Sequence, residues 1–296
     1  MNGTATKIAV AGRNVGDVLS ELDEQAEKAG AIITGIRYNG KDLDADSIAG
    51  ITGDPADGPG CLELSAESAT DMKARAIDTL LQLIEAATAA NDEETRTAVR
   101  NAWASYRSAF DGLYSAEESS FLDAFGVELA ANQAKATMLP GREGGADNIT
   151  GIIETATKLA SFFGERLAEL RDPAAAMMTA SQLFESIRTD LSEVAVRLQT
   201  GKEAEGMHTM VMVVELINKT VRILPDFMRN VPGAASLTIE GKNIGDFYDD
   251  FNTVFRELAG AFESKDSVLI GDLAEYEILP RLSAFFLAVR TAMELT

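Results

Sequence analysis

"GRNVGDVLSEL" occupies residues 12–22, and "GKNIGDFYDDF" occupies residues 241–251. Both read Gly, basic residue, Asn, branched aliphatic, Gly, Asp, and each follows a short alternating stretch: Ile8 and Val10 before the first, Leu237 and Ile239 before the second. How this element is read decides the fold, because it is either a glycine-rich ligand loop used twice or one way of starting a helix used twice. A phosphate cradle needs backbone N–H groups converging at a positive helix end, in orders such as G-x-x-x-x-G-K-[ST] or G-x-G-x-x-G. Neither copy has that order, and Asp17 and Asp246 stand where an anion would approach. The spacings Asn14 to Asp17 and Asn243 to Asp246 are those of an N-cap and its N3 partner. Asn accepts from a first-turn N–H, and Asp favours the positive end of the helix dipole. Gly12 and Gly241 then turn the chain out of the preceding strand, so the pair reads as two strand-to-helix joints.

Around the first copy the order is β-α-β-β. "TKIAVAG" alternates, and "NVGDVLSELDEQAEKAG" places Val15, Val18, Leu19, Leu22, Ala26 and Ala29 on one helical face before Gly30, a C-terminal stop. "AIITGIRYNGKDL" carries a β-branched strand into Asn39-Gly40, the dipeptide that best supplies the positive φ angles of a tight hairpin. The turn-rich "GITGDPADGPG" follows, and "CLELS" closes the segment with Leu62 and Leu64 on one side. Residues 1–66 are therefore expected to form a small mixed module with one helix across its sheet. In topology this resembles the β-grasp family of ubiquitin-like modules, with one strand of that family's first hairpin missing.

Residues 67–296 read as a helical bundle, which makes the whole chain α+β. "SAEESSFLDAFGVELAANQAKAT" opens with Ser115 and Glu118 at capping-box spacing, and Asp172-Pro173 sit at the cap and first-turn positions of a later helix. "MLPGREGGADN", residues 138–148, combines Pro, Gly and charge without periodicity and is the expected internal loop. Pro225 and Pro232 are expected to end "GKEAEGMHTMVMVVELINKTVRIL". A short strand is expected at 236–240. A lone strand leaves its backbone groups unpaired, so it is expected to add to the edge of the N-terminal sheet or to pair with that of a partner molecule. Two final helices, 243–263 and about 265–295, complete the chain, the second kinked at Pro280.

The balance of 26 Lys and Arg against 47 Asp and Glu gives a net charge of -21, which repels phosphate backbones and anionic lipid surfaces. Nucleic-acid binding and electrostatic membrane docking are accordingly set aside. Cys61 is the only cysteine, so neither an intramolecular disulfide nor a zinc site built on two thiolates is possible within one chain. No run of about 18 apolar residues appears. These features lead us to expect a cytoplasmic protein.

Chemistry-bearing patterns are sparse. Glu205-x-x-His208 has the spacing found twice in di-iron bundles, yet His208 is the only histidine, so the second half of such a site cannot exist. Glu205, His208, Glu215, Lys219 and Arg222 instead form a polar stripe expected to face water. The same helix carries Met207, Met210, Val211, Val214, Ile217, Val221 and Leu224 at helical spacing, with Met212, Val213, Leu216 and Ile223 widening the arc. An arc this wide is expected to be buried, while methionine-rich faces also accommodate varied apolar partners. Met207, Met210 and Val214 are the candidate partner-binding residues. Asp249, Asp250, Asp266, Asp272, Glu275 and Glu277 gather near the C-terminus without the order of a calcium loop, and G-x-S-x-G is absent. No catalytic residue, cofactor site or metal site is singled out. The expectation is a non-enzymatic binding, adaptor or chaperone-like protein whose partner is another protein, held by a helical groove or a sheet edge. The alternative is an enzyme or sensor with a carboxylate-lined pocket for a small molecule or divalent metal between module and bundle.

Overall fold

The structure is a computed structural model that describes residues 8, 10–58, 60–138 and 145–294, the side chains of 132–138 and 145–150 excepted. Of the strand expected before Gly12, residues 6, 7 and 9 lie outside the described residues, as do residues 139–144 of the expected loop, while residues 8, 10 and 11 carry no strand. Among the described residues the chain is mostly helical with a small antiparallel sheet, and it divides into two compact units, Met1–Leu167 and Ala168–Thr296.

In the first unit, α1 (Val15–Lys28) begins as the Asn14 spacing dictates. The Asp17 N–H donates to Asn14 Oδ1 at 2.8 Å, and the Asn14 N–H reaches back to Asp17 Oδ2 at 3.5 Å. β1 (Ala31–Tyr38) and β2 (Lys41–Asp42) form the hairpin, with φ of 52° at Asn39 and 77° at Gly40. α2 (Ala45–Ile51), capped by Asp44, is a short helix hidden in sequence by the turn-formers beside it. β3 (Leu62–Ser68) runs antiparallel to β1, giving the order β2-β1-β3, and α1 lays Val18 and Leu22 against Leu64.

Ser68 both ends β3 and caps α3 (Ala69–Ala89), so the sheet passes into helix without a connector. α4 (Glu93–Phe110), α5 (Ala116–Met138) and α6 (Gly145–Arg171) follow. Ile77, Leu80, Leu122, Phe125 and Phe163 are buried at the centre of this unit. The expected capping box is present: the Ser115 N–H donates to Glu118 Oε2 at 2.8 Å, and the Glu118 N–H donates to Ser115 Oγ at 3.2 Å. Glu118 is only 3% exposed and also receives Lys73 Nζ at 2.7 Å and Arg166 Nε at 3.1 Å.

In the second unit, α7 (Pro173–Ser192) opens on the Asp172 cap, and α8 (Val194–Gln199) and α9 (Glu203–Asn230) follow. Pro225 does not end α9, contrary to expectation. The helix loses one backbone hydrogen bond there, but buried Ile223, Leu224 and Phe227 on either side keep it docked. The expected strand also pairs differently. β4 (Thr238–Ile239) folds back on β5 (Lys242–Asn243) through Glu240 and Gly241, with φ of 53° and 80°, and so satisfies its backbone locally without joining the three-stranded sheet. α10 (Ile244–Ser264) springs from that hairpin on an Asn243 cap, the Asp246 N–H donating to Asn243 Oδ1 at 3.0 Å. α11 (Ser267–Asp272) and α12 (Leu279–Glu294) are joined by a π-helical segment, Leu273–Ile278, immediately before Pro280, where a kink was expected. Gly271 is required where α11 meets α8, since a Cβ there would stand 2.7 Å from Ala195 Cα. Phe184 stacks on Phe286, and Phe247 on Phe285, at ring separations of 5.2 and 6.4 Å within a single apolar core.

Candidate protein-docking surface

The repeated joint is not a ligand loop in its first copy. The N–H groups of Val15 and Gly16, which a phosphate would need, already donate to Asp54 O and Thr52 O at 2.9 Å, and Asn14 takes that of Asp17. In the second copy the Asp246 N–H is taken by Asn243 in the same way.

An open apolar stripe lies on α9. Glu203 and Glu205 in its first turn favour the positive end of the dipole. Its buried side, from Met210 through Val213, Leu216, Ile217, Thr220, Ile223, Leu224 and Phe227, faces the core of its unit. A second stripe does not. Met207, Val211, Val214 and Val221 are 38, 52, 38 and 44% exposed, with exposed Asn218 between the last two. Their spacing of four, three, four and three residues puts all five on one line, about 21 Å long at 1.5 Å per residue. The expectation of a helix buried around most of its girth is therefore corrected: periodicity gives the width of an apolar arc, and here the neighbours cover only part of it.

Of the three candidate partner-binding residues, Met207 and Val214 lie on the open stripe, while Met210 is 1% exposed inside the core. Val211 and Val221 complete the stripe. Their signal in sequence was the same helical spacing, Val211 falling between Met207 and Val214 and Val221 two turns beyond. The expected polar stripe also divides. Glu205, His208 and Glu215 are exposed, whereas Arg222 turns inward to Glu169, itself 3% exposed, through a two-pronged contact at 3.0 and 2.8 Å. Lys219 approaches the same carboxylate at 3.7 Å.

Three of the six C-terminal carboxylates are engaged in ion pairs or a cap. Asp250 pairs with Lys242, which holds its carboxyl below the usual range; Glu277 pairs with Arg281; and Asp266 caps α11 by accepting from the N–H groups of Val268 and Leu269. Among the described residues, no group of three or more His, Cys, Asp or Glu is placed to hold a metal ion, and no helix is long and apolar enough to cross a membrane. Among the described residues, one hollow of about 550 Å³ lies in the first unit between α1 and β3, with exposed Cys61 on its wall, and another of about 610 Å³ separates the β4 turn from α12.

No curated protein and no solved structure matches the chain. Residues 175–286, from the first turn of α7 into α12 and including all of α9, are similar to a family model described as "Domain of unknown function (DUF8042)".

Proposed function

We propose that the chain is a non-enzymatic binding protein, an adaptor or chaperone-like molecule of the cytoplasm, that engages another protein through the exposed face of α9. The supporting observation is the line Met207, Val211, Val214 and Val221, left open on a helix whose opposite side is already packed. A face of this kind receives the apolar side of a second helix, read out at i, i+4 and i+7 positions. The edge at β4 is the weaker candidate surface, since it offers only Thr238 and Ile239. Engagement of Asp250, Asp266 and Glu277 in ion pairs and a cap favours binding over a carboxylate-lined catalytic or metal pocket. Covering the exposed parts of four side chains yields about 1 kcal/mol each, a modest sum once association costs are met, which suits reversible contacts rather than a permanent assembly.

The test is a Val211→Glu/Val214→Glu double variant. Both side chains are exposed, so its helical circular dichroism and melting temperature are expected to stay within about 2 °C of the parent. A stoichiometric protein that co-purifies with the parent is expected to be lost. Undiminished co-purification would exclude α9 as the docking face. Met210→Glu is unsuitable for this purpose, because it would bury a charge in the core.

A further inference from the structure

We infer that the occupant of the α9 face is an amphipathic helix of another protein with Lys or Arg beside its apolar stripe; the inference rests on the docking role proposed above. Glu203 lies one turn before Met207, at the start of the open line, and Glu215 lies one turn after Val211, along its flank. Both are exposed, and among the described residues neither meets a cation. The cations of the same helix are spent elsewhere, Lys219 and Arg222 on buried Glu169 and Arg229 on Asp226, and Lys202 just before it approaches Glu205. The stripe is thus edged by carboxylates available to a partner, and the net charge of -21 adds attraction at long range for a basic one. A second copy would bring the same carboxylates and the same net charge, and an anionic membrane would be repelled likewise. Asn218, in mid-stripe, adds a register requirement. A wholly apolar partner would strand its amide, whereas a helix with one polar side chain opposite satisfies it.

The experiment titrates the full chain with two designed helical peptides of about 20 residues. Both carry one apolar stripe interrupted by a single Asn, flanked in one peptide by Lys and in the other by Glu, and binding is read by fluorescence anisotropy. The Lys-flanked peptide is expected to bind roughly ten-fold more tightly, with the difference shrinking in about 0.5 M salt. Glu203→Lys/Glu215→Lys is expected to reverse the preference, and Val211→Glu/Val214→Glu to weaken both peptides. If the valine variant abolishes binding while charge reversal leaves the preference unchanged, the basic partner is overturned and the docking face stands. Failure of both peptides to bind the parent chain, or full binding by the valine variant, overturns both. Concentration-dependent dimerisation that the valine variant abolishes would make a second copy the occupant, and would also overturn the inference.

Discussion

Glu118 shows how one residue serves two scales of structure. In sequence it is the N3 partner of Ser115; in the fold it is a buried carboxylate held by Lys73 from α3 and Arg166 from α6. Burial pushes its pKa up, but the hydrogen bond from Lys73, the Ser115 N–H, the Lys73 charge and Arg166 outweigh that and hold it at about 2, against an ordinary 4.5. Because the folded value is depressed, the stability from this group is fully present above pH 4.5 and is lost as the pH falls towards 2. Glu118→Gln is expected to destabilise the fold by roughly 1–3 kcal/mol at neutral pH in denaturant titration, by removing the buried carboxylate that Lys73 and Arg166 share, and to flatten the acid limb of the stability curve. An unchanged midpoint would mean that the pair does not hold the helices. Close by, the Tyr106 and Tyr114 hydroxyls bond to one another, and burial pushes Tyr114 up to about 12, so both stay protonated through the neutral range.

At the scale of elements, the repeated joint is more complete than its sequence motif. Each copy holds a glycine at positive φ, an Asn cap closing on an Asp, and an ion pair from the basic residue to an acid eight positions on: Arg13 to Glu21, and Lys242 to Asp250. The side chains facing inward differ in size, Val18 and Leu22 in the first copy and Phe247 and Phe251 in the second, while the local bonds that start each helix are the same. Asn14→Ala and Asn243→Ala are each expected to cost about 1 kcal/mol in chemical denaturation, with Asp or Ser restoring most of it. A loss below about 0.3 kcal/mol at both would show that packing alone sets the helix starts. These joints, the Asn39-Gly40 hairpin, the Ser115–Glu118 box and the Asp172-Pro173 start were legible in sequence because each is closed by residues within a few positions. Pro225 and Pro280 were not, since whether a helix breaks, continues or widens at proline depends on what packs around it.

For the whole molecule, the excess of acids over bases is a cost spread over the surface. The net charge of -21 repels itself at low salt, so raising the salt from about 0.02 to 0.5 M is expected to raise the melting temperature by about 3–6 °C, followed by circular dichroism. A fall would mean that ion pairs such as Arg222–Glu169 contribute more than the repulsion costs. What the sequence determined by itself is what short-range chemistry controls: caps, tight turns, the helical period of α9, and a composition suited to basic rather than anionic partners. Only the tertiary structure decided that Met210 is core while Met207 and Val214 are surface, that Arg222 turns to Glu169 while Glu215 stays exposed, and that residues 238–239 pair with 242–243. The reason is physical: a helical period fixes which side chains share a face, but a face becomes core or surface only when elements distant in the chain cover it or leave it open.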